Sequence, residues 1–231
     1  MTAPDRDHRV IATVVLDIDG VLVLETSTGD RSGEEVLLLH EDLDARLTGL
    51  GAEVVFLTHR SRPEARAILG AAGLGGRWLD RCLCANDIFT SALTSGQWLR
   101  LAREGMRKSL VLPGLRRRFG CRPEHCLFVD DRIDNVLDMC RWGVGLGAVA
   151  PSEVDPAGIV TTFDFEEVAE MVRLPPLAED REGAPVLRLQ PREIRVVSHH
   201  RTGLTTHHAA RNGFNLVRRS ASMVRRGLRG R

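Results

Sequence analysis

Lysine is nearly missing from this 231-residue chain: of its 32 basic residues, 31 are arginine and one is Lys108. A chain that uses arginine for generic positive charge and keeps lysine at one position needs a compact ammonium there, not a planar guanidinium fork. Tyrosine is absent and aromatic residues make up only 4% of the chain, which argues against a surface that stacks bases on tyrosine rings. Long hydrophobic runs are also lacking. Nothing approaches the roughly 20 apolar residues of a membrane helix, and residues 1–7 carry no signal-peptide apolar stretch, so a cytoplasmic protein is expected. The five cysteines are an odd number, which argues against a secreted disulfide framework. Cys82 and Cys84 lack a second ligand pair, and Cys121 and Cys126 only bracket a loop holding His125, so packing rather than zinc binding is expected of them. At 25.5 kDa there is chain enough for one main core.

Two acidic clusters carry the chemistry. In the first, an apolar, β-branched run over residues 10–16 reads as a buried strand, followed by Asp17-Ile18-Asp19-Gly20. Open α/β sheets place ligands at the C-terminal ends of strands. Residues two apart on a strand share a side, so Asp17 and Asp19 are expected to face one site, and Gly20 lets the chain turn away. Carboxylates this close repel unless a cation or proton lies between them, which implies a metal. An ordinary Asp-Gly turn is the competing reading. The second cluster repeats the design: Cys126-Leu127-Phe128-Val129 leads into Asp130-Asp131, and a helical pattern runs from Asp134 to Trp142 before Gly143. Helix capping explains Asp134 as well as catalysis does, but it does not explain two acids directly off the strand. A third strand, Glu53–Leu57, ends in Thr58-His59-Arg60, where a threonine hydroxyl is also commonplace for structural reasons.

Taken together, Asp17-x-Asp19-Gly20, Thr58, Lys108 and Asp130-Asp131, in that order and each acidic or hydroxyl motif behind an apolar strand, resemble the haloacid dehalogenase superfamily of phosphotransferases. The 22 residues from Lys108 to Asp130 suit one helix and one strand, and the resemblance spans about residues 10–172. It implies Asp17 as the nucleophile forming an aspartyl-phosphate and Asp19 as the acid, then base, for the leaving oxygen and water. It further implies Thr58 and Lys108 on the phosphoryl group, with His59 and Arg60 beside them as substrate-binding candidates. A Mg2+ ion would be held by Asp17, the main-chain carbonyl of Asp19 and the Asp130-Asp131 pair, with Asp131 favoured as the direct ligand. Family members that cleave carbon–halogen bonds lack an acid at the position of Asp19, so the resemblance points to a phosphorylated substrate.

The alternating pattern implies an α/β fold with a Rossmann-like parallel sheet flanked by helices. Residues 23–40 suit a loop or hairpin, 41–50 a helix, and Pro63 opens a helix running to about Ala72. A strand near residues 79–84, a helix near 97–104, strands at 144–149 and 159–162 and a helix near 165–172 complete the core. Only 37 residues separate Gly20 from Thr58 and 49 separate Thr58 from Lys108, too few for a large cap beside the core elements. An open or lightly lidded site follows, suited to bulky substrates or to closure by a partner subunit in a homo-oligomer.

The chain is divided electrically. Residues 1–180 hold 20 basic and 29 acidic residues, a net charge of −9, whereas residues 181–231 hold 12 arginines against Glu182 and Glu193, a net charge of +10. A core over residues 1–175 and a basic segment over 176–231 are expected, the segment being a disordered arm or an amphipathic helix displaying Phe214, Val217, Ala221, Val224 and Leu228. Such asymmetry suits a polyanion: nucleic acid, an anionic membrane surface or the acidic core of another copy. The paired histidines at 199–200 and 207–208 lack acidic or thiol neighbours that would complete a metal site.

Three functions remain at this point. The first is a magnesium-dependent phosphomonoesterase acting on a small metabolite or nucleotide. The second is a polynucleotide 3′-end phosphatase: Phe128–Arg132, Met139–Trp142 and the small cap resemble the phosphatase module of polynucleotide kinase-phosphatases, although no kinase Walker sequence is present. The third is a non-catalytic binding protein on the same fold.

Overall fold

The computed structural model describes residues 11–26, 35–154, 159–173, 184–194 and 199–201. Its first half runs β1 (Thr13–Leu16), β2 (Val23–Thr26), β3 (Glu35–Leu38), α1 (Leu43–Gly49), β4 (Glu53–Leu57), α2 (Arg62–Ala71), α3 (Arg77–Asp80), β5 (Cys82–Leu83), α4 (Ala85–Thr94) and α5 (Trp98–Glu104). A 3-10 turn at Lys108–Val111 leads into α6 (Leu112–Phe119), β6 (Cys126–Asp130), α7 (Ile133–Arg141) and β7 (Leu146–Val149). Then come β8 (Glu153–Val154), β9 (Val160–Thr162), α8 (Phe165–Arg173), β10 (Val186–Arg188), β11 (Arg192–Ile194) and β12 (His199–Arg201).

Six strands form one parallel sheet in the order β10-β7-β6-β1-β4-β5, flanked by helices in the α/β, Rossmann-like manner. Strands β1 and β6 are buried along their whole length because helices cover both faces, which is why they read as continuous apolar runs. Alternation divides their side chains. Val14, Leu16, Phe56, Leu127 and Val129 pack with α1, α2 and α8 on one face. Val15, Val55, Leu57 and Phe128 pack with α4, α6, α7 and the Lys108–Val111 turn on the other. From β1 the chain moves outward to β4 and β5, then crosses back to β6 on the opposite side. The reversal lies between β1 and β6, and open α/β sheets place their ligands at the carboxyl ends of the strands at such a point.

Local signals explain several boundaries. Helix α2 starts with a capping box in which the Ser61 amide donates to Glu64 Oε2 at 2.8 Å, with Pro63 in its first turn. Within residues 23–40, expected as a loop or hairpin, β2 and β3 pair antiparallel, with β12 added on the other side of β3. The strand expected over residues 79–84 is reduced to Cys82–Leu83, because Arg77–Asp80 forms a short helix that buries Trp78 against Phe56. Helix α4 was not foreseen at all. The basic segment expected from residue 176 contributes three short strands: β10 runs parallel to β7, β11 pairs antiparallel with β9, and β12 pairs antiparallel with β3. The amphipathic stretch over residues 214–228 and His207-His208 lie outside the described residues. Among the described residues no helix is long and apolar enough to cross a membrane.

Candidate active site

Strand pairing places the two acidic clusters side by side. Leu16 lies opposite Val129 and the Asp17 amide donates to the Val129 carbonyl at 2.9 Å, so Asp17 and Asp130 leave neighbouring strands at the same level. Both continue the odd–even phase of Val15 and Phe128, the face against which the Lys108 turn packs. Lys108 enters there with 2% of its surface exposed. Its Nζ lies 2.6 Å from Asp17 Oδ2 and 2.7 Å from Asp130 Oδ2, one ammonium bridging two carboxylates. A guanidinium would need a wider, flatter space, and this is a physical reason for the solitary lysine.

Each acid is then fixed differently. Asp17 Oδ1 accepts the Ile18 amide at 2.8 Å. Asp130, fully buried, accepts the Arg132 amide at 2.9 Å and the Asn135 Nδ2 at 3.0 and 3.1 Å in addition to Lys108. Asp131 packs against Gly20, whose φ is 71°; a Cβ at residue 20 would collide with the Asp131 carboxylate. Glycine is thus required twice over, for its backbone and for the space. Asp17, Asp130 and Asp131 each offer an oxygen within 4.8 Å of the others, and no other group of three such ligands occurs among the described residues. Cys82, Cys84, Cys121 and Cys126 are free and buried.

The electrostatics call for more positive charge. Burial pushes the Asp17 carboxyl upward; Lys108 pulls it back, and Asp130 and Asp19 push it up again. Burial and then Asp130 raise Asp131 to about 6. Burial alone would lower the Lys108 ammonium, but Asp17 and Asp130 outweigh it and hold it above its ordinary value. One ammonium cannot balance three clustered carboxylates, and a hard divalent cation suits an all-oxygen donor set.

Asp19 does not join this cluster through its side chain. Residue 19 bridges to Val23, and its carboxylate receives the Arg60 fork, with Nε 2.9 and 3.0 Å from its two oxygens and NH2 2.8 Å from Oδ1. Thr58 is fully buried at the end of β4, and its Oγ1 accepts the Arg60 amide at 3.1 Å, which leaves its hydroxyl proton free to donate. His59 is exposed at the rim, within electrostatic reach of Lys108, Asp130 and Arg132. The structure therefore gathers Asp17, Lys108, Asp130 and Asp131 tightly and sets Asp19 and Arg60 beside them as a pair. Asp134 lies in the first turn of α7, whose N-cap is Arg132; it pairs with Arg132 and Arg107 at 3.2 and 3.8 Å. The sequence reading missed Asn135, although its place in the first turn of the helix after β6 brings it back over the strand end.

No protein-family model matches the chain, and no curated protein matches it. Solved structures similar to it include a hypothetical protein from Xanthomonas campestris, at 20% identity and a TM-score of 0.38, covering 62% of this chain and 64% of that one. A candidate 3-deoxy-D-manno-octulosonate 8-phosphate phosphatase from Vibrio cholerae follows at 14% identity and a TM-score of 0.36, covering 61% and 66%. The 3-deoxy-D-manno-octulosonate 8-phosphate phosphatase from Moraxella catarrhalis, in complex with magnesium, phosphate and KDO, is similar at 19% identity and a TM-score of 0.35, covering 61% and 68%. The chain thus spans slightly under two thirds of the first two.

Proposed function

We propose that this protein is a magnesium-dependent phosphomonoester hydrolase working through an aspartyl-phosphate at Asp17, on a small phosphorylated metabolite or nucleotide. The observation that carries this reading is the Lys108 ammonium held between Asp17 and Asp130 at the carboxyl ends of β1 and β6. An Asp17 oxygen attacks phosphorus, a P–O bond forms to the carboxylate, and the bond to the leaving oxygen breaks as that oxygen takes a proton from Asp19. Asp19 then accepts a proton from water, whose oxygen attacks phosphorus, releases phosphate and restores Asp17. Thr58 donates its hydroxyl proton to a phosphoryl oxygen, and Lys108 offsets the charge that nucleophile and phosphoryl group bring together. The carboxylates of Asp17, Asp130 and Asp131, with the Asp19 main-chain carbonyl, would hold magnesium. When bound, the ion would neutralise clustered negative charge and favour approach of one anion to another. Arg60 and Arg132 supply positive charge for the rest of the substrate, and His59, whose pKa is lowered to about 4 first by burial and then by Lys108, offers a neutral imidazole beside them.

Phosphate release with magnesium, from nucleotides, sugar phosphates and 3′-phosphorylated DNA and RNA ends, tests this reading, with Asp17→Asn as the control. Release from small esters that Asp17→Asn abolishes is the expected result; silence from every class would favour a binding protein. One observation favours polynucleotide ends as a second reading. Strand β12 pairs with β3 of the hairpin that follows the Asp17 loop, and the 30 residues after it in sequence contain seven arginines and no acid. Release only from polynucleotide ends, weakening steeply with salt, would select it. The same segment is the proposed contact for nucleic acid, an anionic membrane surface or a second copy of the chain.

A further inference from the structure

A second buried charge cluster is built on Ser109, the residue after Lys108, and the proposed reaction does not use it. Arg100, on α5, has a side chain 8% exposed. Its NH2 donates to Ser109 Oγ at 2.5 Å and to Asp138 Oδ1 at 2.8 Å, while its Nε donates to Glu104 at 3.0 Å. Ser109 Oγ in turn donates to Asp138 Oδ2 at 2.5 Å. Trp142 closes the cluster from outside, with the guanidinium carbon 3.8 Å from its ring centroid. The remaining guanidinium nitrogen, Arg100 NH1, is buried with no hydrogen-bond partner.

Burying an arginine with an incomplete set of partners is costly, and hydrophobic replacements of buried ion pairs are often no less stable. Stability alone is thus a weak reason for this arrangement. Its connections suggest another. Ser109 is the residue after Lys108, in a turn whose four residues are all buried. Asp138 lies on α7, the same helix whose Asn135 grips Asp130. Helix α7 therefore holds the backbone beside Lys108 through Asp138 and holds the second partner of Lys108 through Asn135.

We propose that Arg100, Ser109 and Asp138 form a positioning brace that sets the Lys108 ammonium between Asp17 and Asp130. These are positioning residues and touch no substrate. The catalytic consequence rests on the phosphatase reading above; the placement of Lys108 can be read without it. Because Lys108 is the only lysine, protein labelled with 15N-lysine carries a single side-chain ammonium, and its NMR signal reports this position alone.

The experiment compares that signal in the unmodified full chain, Ser109→Ala, Asp138→Asn and Arg103→Ala, an exposed control on α5. The brace predicts that the ammonium signal shifts, or disappears through faster proton exchange, in Ser109→Ala and Asp138→Asn, and stays unchanged in Arg103→Ala. With a phosphate ester that the unmodified protein hydrolyses, kcat falls about 10- to 100-fold in the first two with KM little changed. In a Lys108→Ala background, Ser109→Ala costs nothing further. An unchanged ammonium signal in folded Ser109→Ala overturns the brace, as does a full multiplicative loss in the Lys108→Ala background. If Asp138→Asn fails to fold, Ser109→Ala, which removes one hydroxyl, decides alone. If the unmodified protein hydrolyses nothing, the phosphatase reading falls while the NMR comparison still decides the brace.

Discussion

Two cation–carboxylate contacts lie within the same site and differ in every respect that matters. Lys108 is buried and lies between two acids on different strands. Arg60 lays its fork flat against one acid, Asp19, whose side chain is 37% exposed. A point charge can bridge two carboxylates that converge on it; a planar fork matches one carboxylate edge-on. The chain has arginine at 31 positions and lysine only where bridging is required. The buried contact concerns the reacting atoms, and the rim contact concerns how Asp19 and the substrate are held.

That contrast can be broken in steps. The largest effect belongs to Asp17→Asn, which keeps the shape of the residue and removes the nucleophile: turnover drops by about 10⁴-fold or more, while the circular dichroism spectrum stays that of the unmodified protein. Next is Lys108→Ala, which leaves Asp17 and Asp130 buried without the cation that bridges them. Denaturant unfolding should show a loss of about 3–5 kcal/mol, and kcat should fall about 10²- to 10³-fold. Lys108→Arg sharpens the comparison, since charge is kept and only the shape changes; rates near the unmodified level in that variant would show that a fork can bridge here after all. Asp131→Asn should raise the magnesium concentration needed for half-maximal turnover without disturbing Asp130, whose oxygens are held by Lys108, Asn135 and the Arg132 amide. Arg60→Lys should be milder than Lys108→Arg, with its effect mostly in KM.

A smaller effect separates the site from its support. His40 is buried among Phe163 and Phe165, and its Nε2 donates to the Val21 carbonyl at 3.0 Å, just past the Asp17–Gly20 turn. Burial first of all lowers its pKa from 6.5 to about 4, with the Val21 hydrogen bond and Asp164 opposing and Arg46 and Arg192 adding to the fall. The unfolded chain then binds a proton that the folded chain does not. Stability from this group is complete above about pH 6.5, is lost as pH falls towards 4, and the loss amounts to about 3 kcal/mol. His40→Gln should flatten that part of the stability curve, as measured by urea midpoints between pH 7 and 4.

What could be read in the sequence was whatever depended on strand phase and short motifs. The apolar runs ending in Asp17 and Asp130 marked two strands with acids at their carboxyl ends; that the strands are neighbours, and that Asp17 meets Asp130 rather than the Asp19 side chain, is decided by pairing across the sheet. Pro63 marked the start of α2, where the structure adds a Ser61–Glu64 capping box. Helix α4 was hidden because Ala85–Thr94 is rich in asparagine, aspartate, serine and threonine, weak helix formers. Its start is organised by Cys84, whose amide donates to Asp87 Oδ2 at 2.9 Å, and cysteine is not a usual capping residue. Strand β10 was hidden because three residues in an arginine-rich stretch carry no pattern; pairing with the edge of β7 decides their conformation. The Arg60–Asp19 pair and the Arg100 cluster join residues 41 and 38 apart in sequence, and no local rule connects them.

The most direct test of the account is to quench the protein during turnover of a phosphate ester with borohydride, which reduces an acyl-phosphate, and to locate the modified residue by peptide mass spectrometry. The account predicts reduction at Asp17, dependent on substrate and magnesium. Turnover that continues in Asp17→Asn, or reduction at a different carboxylate, would contradict it.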